Sequence, residues 1–124
     1  MIRVLLADDN VAVRSALHDL LESDSQISVV AVCADGHEAR EHLVRTDADI
    51  AVLDVRMPLG GAELVRAARE RGLEVICLSA DVCAETDMLA AGASEFLVKG
   101  ERSSDICAAV KRAAASLKNA PSPG

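Results

Sequence analysis

The chain has 124 residues, 51% hydrophobic and 27% charged, with a formal net charge of −7; it is long enough for one buried core and too short for a catalytic domain plus a separate reader domain. The acidic balance excludes gripping phosphate backbones or anionic membranes by charge, and a single Phe with no Trp or Tyr excludes an aromatic stacking platform for single-stranded nucleic acid. The core must come from Ala, Val, Leu and Ile, and side chains this small let helices lie close on a sheet, so the composition favours layered α/β packing.

Short apolar runs alternate with helical periods along the chain. Residues Ile2–Ala7 (IRVLLA) read as a buried strand, and Asn10 is a good N-cap for a helix with Val13, Leu17, Leu20 and Leu21 on one face. Ile27–Cys33 is a second, β-branched run; Gly36 then punctuates, and Glu38–Arg45 reads as a helix. Ile50–Leu53 is strand three, ending in Asp54, and Pro58, Gly60 and Gly61 break the chain before a helix with Leu64, Val65 and Ala68 on one side. Glu74–Leu78 is strand four, Val82–Ala91 a helix stopped by Gly92, and Glu95–Val98 strand five. Ser103 or Ser104 caps a last helix whose inner face is Ile106, Val110, Ala113 and Leu117. The tail NAPSPG, residues 119–124, has nothing to bury and reads as a linker stub or disordered tail after a single domain spanning 1–118. Strict alternation of strand and helix implies a doubly wound α/β fold: a parallel sheet, right-handed crossovers and helices on both faces.

Cys33, Cys77, Cys83 and Cys107 show no C-x-x-C pairing, so they are expected as free buried thiols in a reducing compartment. The N-terminal apolar stretch is too short for a signal peptide, and no run approaches the ~20 residues of a membrane span, so the chain is expected in the cytoplasm. His18, His37 and His42 lack the i, i+4 spacing of a helical metal site, and Arg66, Arg69 and Arg71 read as a solvated helix face.

Each strand is apolar until its last residue or the loop just after it. Asp8 and Asp9 end strand one, Asp54 strand three, Ser79 strand four and Lys99 strand five. In open α/β sheets the ligand crevice lies outside the carboxyl ends of the strands. One Asp at a strand end is commonly a helix cap, but reactive residues at four such ends converge on one cleft. Three carboxylates there repel one another unless cations balance them; Lys99 supplies one positive charge, and a divalent ion would supply the remainder. An all-oxygen ligand set without His or Cys favours a hard ion, Mg²⁺ or Mn²⁺, over zinc. Such a site suits attack of a carboxylate on a phosphoryl group, with the metal and a lysine neutralising the equatorial oxygens.

The ordered set Asp8-Asp9, Asp54 with Met57-Pro58, Ser79-Ala80 and Phe96-Leu-Val-Lys99 resembles a two-component response-regulator receiver domain, from Ile2 to about Leu117. The phrases RVLLADDN, LDVRMP and GASEFLVKG are most similar to the NarL/FixJ branch, whose members carry a LuxR-type helix-turn-helix output domain. The resemblance implies a flavodoxin-like five-stranded sheet in the order 2-1-3-4-5 with five helices. It implies Asp54 as phosphoacceptor, Asp9 and, through water, Asp8 as Mg²⁺ ligands, and the Arg56 backbone carbonyl completing the metal shell. Ser79 would bind a phosphoryl oxygen, Phe96 would be a rotamer-switching aromatic and Lys99 would pair with the phosphoryl group. A histidine kinase and a dimer mate or downstream module are the implied partners, with no turnover substrate and no direct nucleic-acid contact.

The chain departs from the family where a glycine usually follows the Met-Pro pair four residues on: Ala62 stands there, with glycines at 60 and 61. Arg56 and Asp81 lie two residues beyond Asp54 and Ser79, and are expected to pair across the cleft mouth and slow water access to an acyl phosphate. The alternatives are an aspartyl phosphatase, disfavoured because Arg56 replaces the second acid of D-x-D; a flavodoxin-like cofactor binder, disfavoured because Asp8-Asp9-Asn10 would repel a phosphate; and a receiver that works unphosphorylated, disfavoured by the intact acid set.

Overall fold

The β-branched and leucine-rich runs become strands because alternating side chains can then be buried on both faces of one sheet. The computed structural model describes residues 1–99 and 105–119. Within them the order is β1 (Ile2–Ala7), α1 (Val11–Glu22), β2 (Ile27–Cys33), α2 (Gly36–Arg45), β3 (Ile50–Asp54), α3 (Ala62–Glu70), β4 (Glu74–Ser79), α4 (Glu85–Ala91), β5 (Glu95–Val98) and α5 (Ile106–Asn119). The five strands pair in parallel, as their alternation with helices predicts, in the order β2-β1-β3-β4-β5 that the family resemblance implies. The expected caps Ser103 and Ser104 and residues 120–124 of the expected tail lie outside the described residues, while Asn119, expected to open that tail, closes α5. Among those described, no helix is long and apolar enough to cross a membrane.

Alternation divides the core in two. Val4, Leu6, Ile50, Val52, Ile76, Leu78 and Leu97 face α1 and α5, where they meet Leu17, Leu21, Ile106 and Val110. Leu5, Ala7, Ala51, Leu53, Val75 and Cys77 face α2, α3 and α4, meeting Ala39, Leu43, Leu64, Val65, Ala68 and Met88. Each fully buried Leu, Ile or Val contributes about 1.5–3 kcal/mol. Alanines on both sides of the second layer, such as Ala7, Ala51, Ala39 and Ala68, let its helices sit close to the sheet, with the half-buried Phe96 the one aromatic packed against it.

The edge strand β2 breaks its own alternation. Its register against β1 slips between Val4 and Leu5, leaving Val30 without a partner. The bulge reverses the phase, so Ile27 and Val29 join the α1–α5 layer while Ala31 and Cys33 join the opposite one. Val30 and Val32 stay exposed.

Several local expectations change. The second helix starts at Gly36, not Glu38, because Asp35 caps it: its carboxylate accepts the Glu38 amide at 2.8 Å, and Glu38 reaches back to the Ala34 amide at 2.9 Å. The expected helix Val82–Ala91 splits, because Asp81 accepts the Cys83 amide at 2.9 Å and tightens Val82–Ala84 into a 3₁₀ turn before α4 begins. All four cysteines are free, but Cys83, on that turn, is exposed and Cys107 half-buried. Arg69 is not merely solvated. Its guanidinium lies 2.7 Å from Glu74 and donates to the Leu73 carbonyl at 3.2 Å, and its stem packs where a side chain at Gly92 would lie.

Gly36 does more than punctuate. A Cβ there would stand 1.7 Å from the Leu59 carbonyl oxygen, and the Gly36 amide donates to the Pro58 carbonyl at 2.8 Å. The loop after β3 is thereby pressed onto the start of α2, with Leu59 in the left-handed region at φ 58°. We expect Gly36→Ala to cost about 2–3 kcal/mol in urea unfolding, the upper part of the range for core overpacking, because the added carbon meets backbone; a loss under half that would mean that the loop moves aside freely.

Candidate functional site

Parallel pairing makes every strand end point the same way, and β1, β3, β4 and β5 are consecutive in the sheet. Asp8 follows β1, Asp54 and Ser79 close β3 and β4, and Lys99 follows β5. The chain crosses from one face of the sheet to the other between β1, which leads to α1, and β3, which leads to α3. A crevice opens at such a crossover, and the acids line it.

One carboxylate oxygen each from Asp8, Asp9 and Asp54 lies within 4.8 Å of the others. Asp8 is wholly buried and Asp54 is 4% exposed, whereas Asp9 faces solvent. Lys99 Nζ sits between the buried pair, 2.9 Å from Asp8 Oδ2 and 3.2 Å from Asp54 Oδ1. Burial first, then the Asp8 charge, push the Asp54 carboxyl above the usual range against the pull of Lys99. Burial pulls Lys99 down, but its contacts with Asp8 and Asp54 outweigh that and raise it, so it is an ammonium at neutral pH.

Asp8 is held at every other atom. Its amide donates to the Cys33 carbonyl at 3.1 Å, Oδ1 accepts the Asn10 amide at 2.9 Å and its carbonyl accepts Arg14 Nη1 at 2.9 Å. Asn10 in turn caps α1 through the Val13 amide at 3.0 Å. Oδ2 alone receives no aligned hydrogen bond; the Lys99 ammonium is close but poorly directed. A buried carboxylate oxygen with no well-aligned hydrogen bond, two further carboxylates and no imidazole fit a hard divalent ion. The nearby Cys33 thiol is no competitor, since burial and the Glu38 and Asp35 charges push it up to about 12.

Ser79 is 1% exposed. Its hydroxyl oxygen accepts the Asp81 amide at 3.0 Å, and its carbonyl accepts the Lys99 amide at 2.9 Å, which joins the ends of β4 and β5. Asp81 also pairs with the Arg56 guanidinium. The Cys83 amide and then Arg56 hold the Asp81 carboxyl below the usual range. The Arg56 amide points at Asp54 Oδ1 across a long 3.4 Å. Phe96 is half-buried against the α2–α4 layer. The histidines stand apart from the acids: His18 lies 3.3 Å from Asp19, and His37 lies 2.8 Å from Glu41. Sequence reasoning missed Arg14; the available signal was a cation one turn into the helix that follows the acid pair.

Over residues 4–111 the chain matches the family model described as the response regulator receiver domain. It is 38% identical over 117 residues to the DNA-binding transcriptional activator DevR/DosR of Mycobacterium tuberculosis, covering 90% of this chain and 54% of that protein. It is 35% identical over 105 residues to a protein-glutamate methylesterase/protein-glutamine glutaminase of a Nocardioides species, covering 79% of this chain and 29% of the relative. The chain thus spans 29% to 54% of the length of these curated relatives. Among solved structures, the signal receiver domain of the response regulator NarL from M. tuberculosis superposes with a TM-score of 0.84 at 29% identity, covering 95% of this chain and 97% of that one. The response regulator domain of Thermotoga maritima CheB superposes with a TM-score of 0.84 at 26% identity, covering 98% and 99%.

The raised Asp54 carboxyl carries a stability consequence. Its folded-state value lies above the unfolded one, so ionising it as pH rises through the acid range costs stability. Asp54→Asn removes that cost. In EDTA near neutral pH the variant is expected to melt a few degrees above the parent chain, and the gap to narrow as acid protonates the parent carboxyl. Scanning calorimetry at neutral and acid pH checks this, and an equal or lower melting point near neutrality contradicts it.

Proposed function

The chain belongs to the response-regulator receiver family, and on that premise we propose that Asp54 accepts a phosphoryl group in a Mg²⁺-dependent reaction that changes affinity for a partner. The observation that carries this reading is Lys99 Nζ set between Asp8 and Asp54, with Asp9 beside them. Receiver domains are phosphorylated by histidine kinases, and the proposed donor is such a kinase. The metal would be held by Asp9, Asp54 and the Arg56 carbonyl directly and by Asp8 through water, and would supply positive charge to the phosphoryl oxygens.

The chain's own residues account for the remaining chemistry. Asp54 Oδ1 is engaged by Lys99 and the Arg56 amide, which leaves Oδ2 to attack phosphorus as the bond from phosphorus to the donor breaks and the donor departs with its electron pair. Lys99 already carries its proton and neutralises charge gathering on the oxygens. The Ser79 hydroxyl oxygen accepts from the Asp81 amide, so its own hydrogen is available to a phosphoryl oxygen. That bond would draw the end of β4 inward and make room for Phe96 to change rotamer. A phosphoryl group adds about −1.5 to −2 charge, and it shifts the equilibrium only through contacts that differ between the two states; Ser79 and Phe96 supply them.

A transcription-regulating output, with dimerisation on activation, is favoured by the 38% identity to an activator across 90% of this chain. The methylesterase relatives match the same receiver portion, and we propose no turnover substrate for the residues described. The free thiols support a reducing, cytoplasmic setting.

Acetyl phosphate with Mg²⁺ is expected to give a phosphorylated chain by intact mass spectrometry, absent in EDTA and absent in Asp54→Ala; an adduct that survives the Asp54→Ala substitution would falsify the assignment. The Arg56–Asp81 pair spans the two loops at the mouth of the site. As an exposed pair it is worth only ~0–1 kcal/mol, so its proposed role is kinetic: it slows the approach of water to the acyl phosphate. Arg56→Ala should shorten the phosphoryl lifetime several-fold with little change in melting temperature. An unchanged lifetime in a decay assay would rule the gate out.

A further inference from the structure

Arg14 is a cation beside the pocket that the acid set, the Lys99 bridge and the Arg56–Asp81 pair all leave unaccounted for. It lies in the first turn of α1, and helical side chains lean toward the helix N-terminus. Its guanidinium therefore runs back to the end of β1, where Nη1 donates to the Asp8 carbonyl at 2.9 Å. A buried carbonyl needs a partner, and a charged donor gives a shorter, stronger bond than a neutral one. The Asp8 carbonyl and the Asp9 amide share one rigid peptide plane. Asp9 is exposed, so the direction of its side chain follows from that plane and from the turn that Asn10 closes with Asp8 Oδ1 and Val13.

We propose that Arg14 is a positioning residue of the acid site: by holding the Asp8 carbonyl it sets the peptide plane that joins the two acids, and so the spacing of their carboxylates for a divalent cation. This rests on the reading of Asp8, Asp9 and Asp54 as a Mg²⁺ site. Arg14 never touches the ion; it acts through Asp8, as outer partners of metal ligands do.

The experiment is a calorimetric Mg²⁺ titration of the unphosphorylated chain, with melting curves in EDTA, on the parent, Arg14→Met and Asp9→Asn. Arg14→Met keeps the length and the apolar stem but removes the donors. Its Mg²⁺ dissociation constant is expected to rise about tenfold or more, the scale for losing an outer partner of a metal ligand, while its melting point in EDTA stays near that of the parent. Asp9→Asn is expected to lose measurable Mg²⁺ binding. If Arg14→Met melts markedly lower, Arg14→Gln takes its place; its side chain is too short to reach the Asp8 carbonyl, and it should show the same weakening. A parent that binds Mg²⁺ and a well-folded Arg14 variant within twofold of it overturn the role of Arg14 and leave the metal site standing. A parent that binds no Mg²⁺ overturns the metal site and this proposal with it.

Discussion

Two buried carboxylates that share a single ammonium set the constraint at the carboxyl edge of the sheet on which the site depends. Asp8 is wholly buried and Asp54 nearly so, and their charges oppose each other as well as losing water. Lys99 offsets this by lying within 3.2 Å of both. It can do so only while the ends of β1, β3 and β5 keep their registers across the sheet. The bonds that tie those ends to their neighbours, from the Lys99 amide to Ser79 and from Val55 to Leu78 on β4, and from Asp8 to Cys33 on β2, therefore serve the site as much as the sheet. Two carboxylates against one ammonium still leave net negative charge at the pocket, and Asp8 Oδ2 has the Lys99 ammonium as its nearest partner.

The rest of the fold supplies the rigidity this arrangement needs. Each layer of helices packs on one parity of the strand residues, and the alanine-rich layer under α2, α3 and α4 brings the following loops close to the strand ends. The close approach of Gly36 to Leu59 anchors the loop that leaves Asp54, and the Arg56–Asp81 pair ties that loop to the turn after Ser79. Arg69, Glu74 and Ser94 join α3 to β4 and the entrance of β5 at the opposite end of the sheet. The loops at the mouth have local turn bonds, such as Gly60 to Met57 and Asp81 to Ser79, and are tied to each other by an exposed ion pair, whereas the strand ends beneath them are held by backbone bonds across the sheet. Movement after a charge change at Asp54 is thus easiest in the loops.

The strands, their order of appearance and the polar residue at each carboxyl end were legible because a buried parallel strand must be apolar throughout and can turn polar only where it leaves the sheet. The acids and the lysine were legible as a set for the same reason. Arg14 was not, because a lone cation on an amphipathic helix reads as surface until the strand that it reaches back to has been placed. Arg69 reads as solvated for the same reason: its partner Glu74 is a neighbour only after α3 has turned back onto β4. The bulge at Val30 left no mark in the run ISVVAVC, since its four β-branched residues and its small Ser28, Ala31 and Cys33 can stand on either face.

By itself, then, the sequence determined which segments are strands and which helices, where one ends and the next begins to within a few residues, and which side chains end up at the carboxyl edge of a parallel sheet; these follow from local periodicity and from where polarity is tolerated. Only the tertiary structure decided which atoms meet there: Lys99 between Asp8 and Asp54, Arg14 on the Asp8 carbonyl, Arg56 on Asp81, and the Leu59 backbone on Gly36. Most of these contacts join residues far apart in the chain, so their distances are set by sheet register and helix packing. No local pattern encodes those quantities.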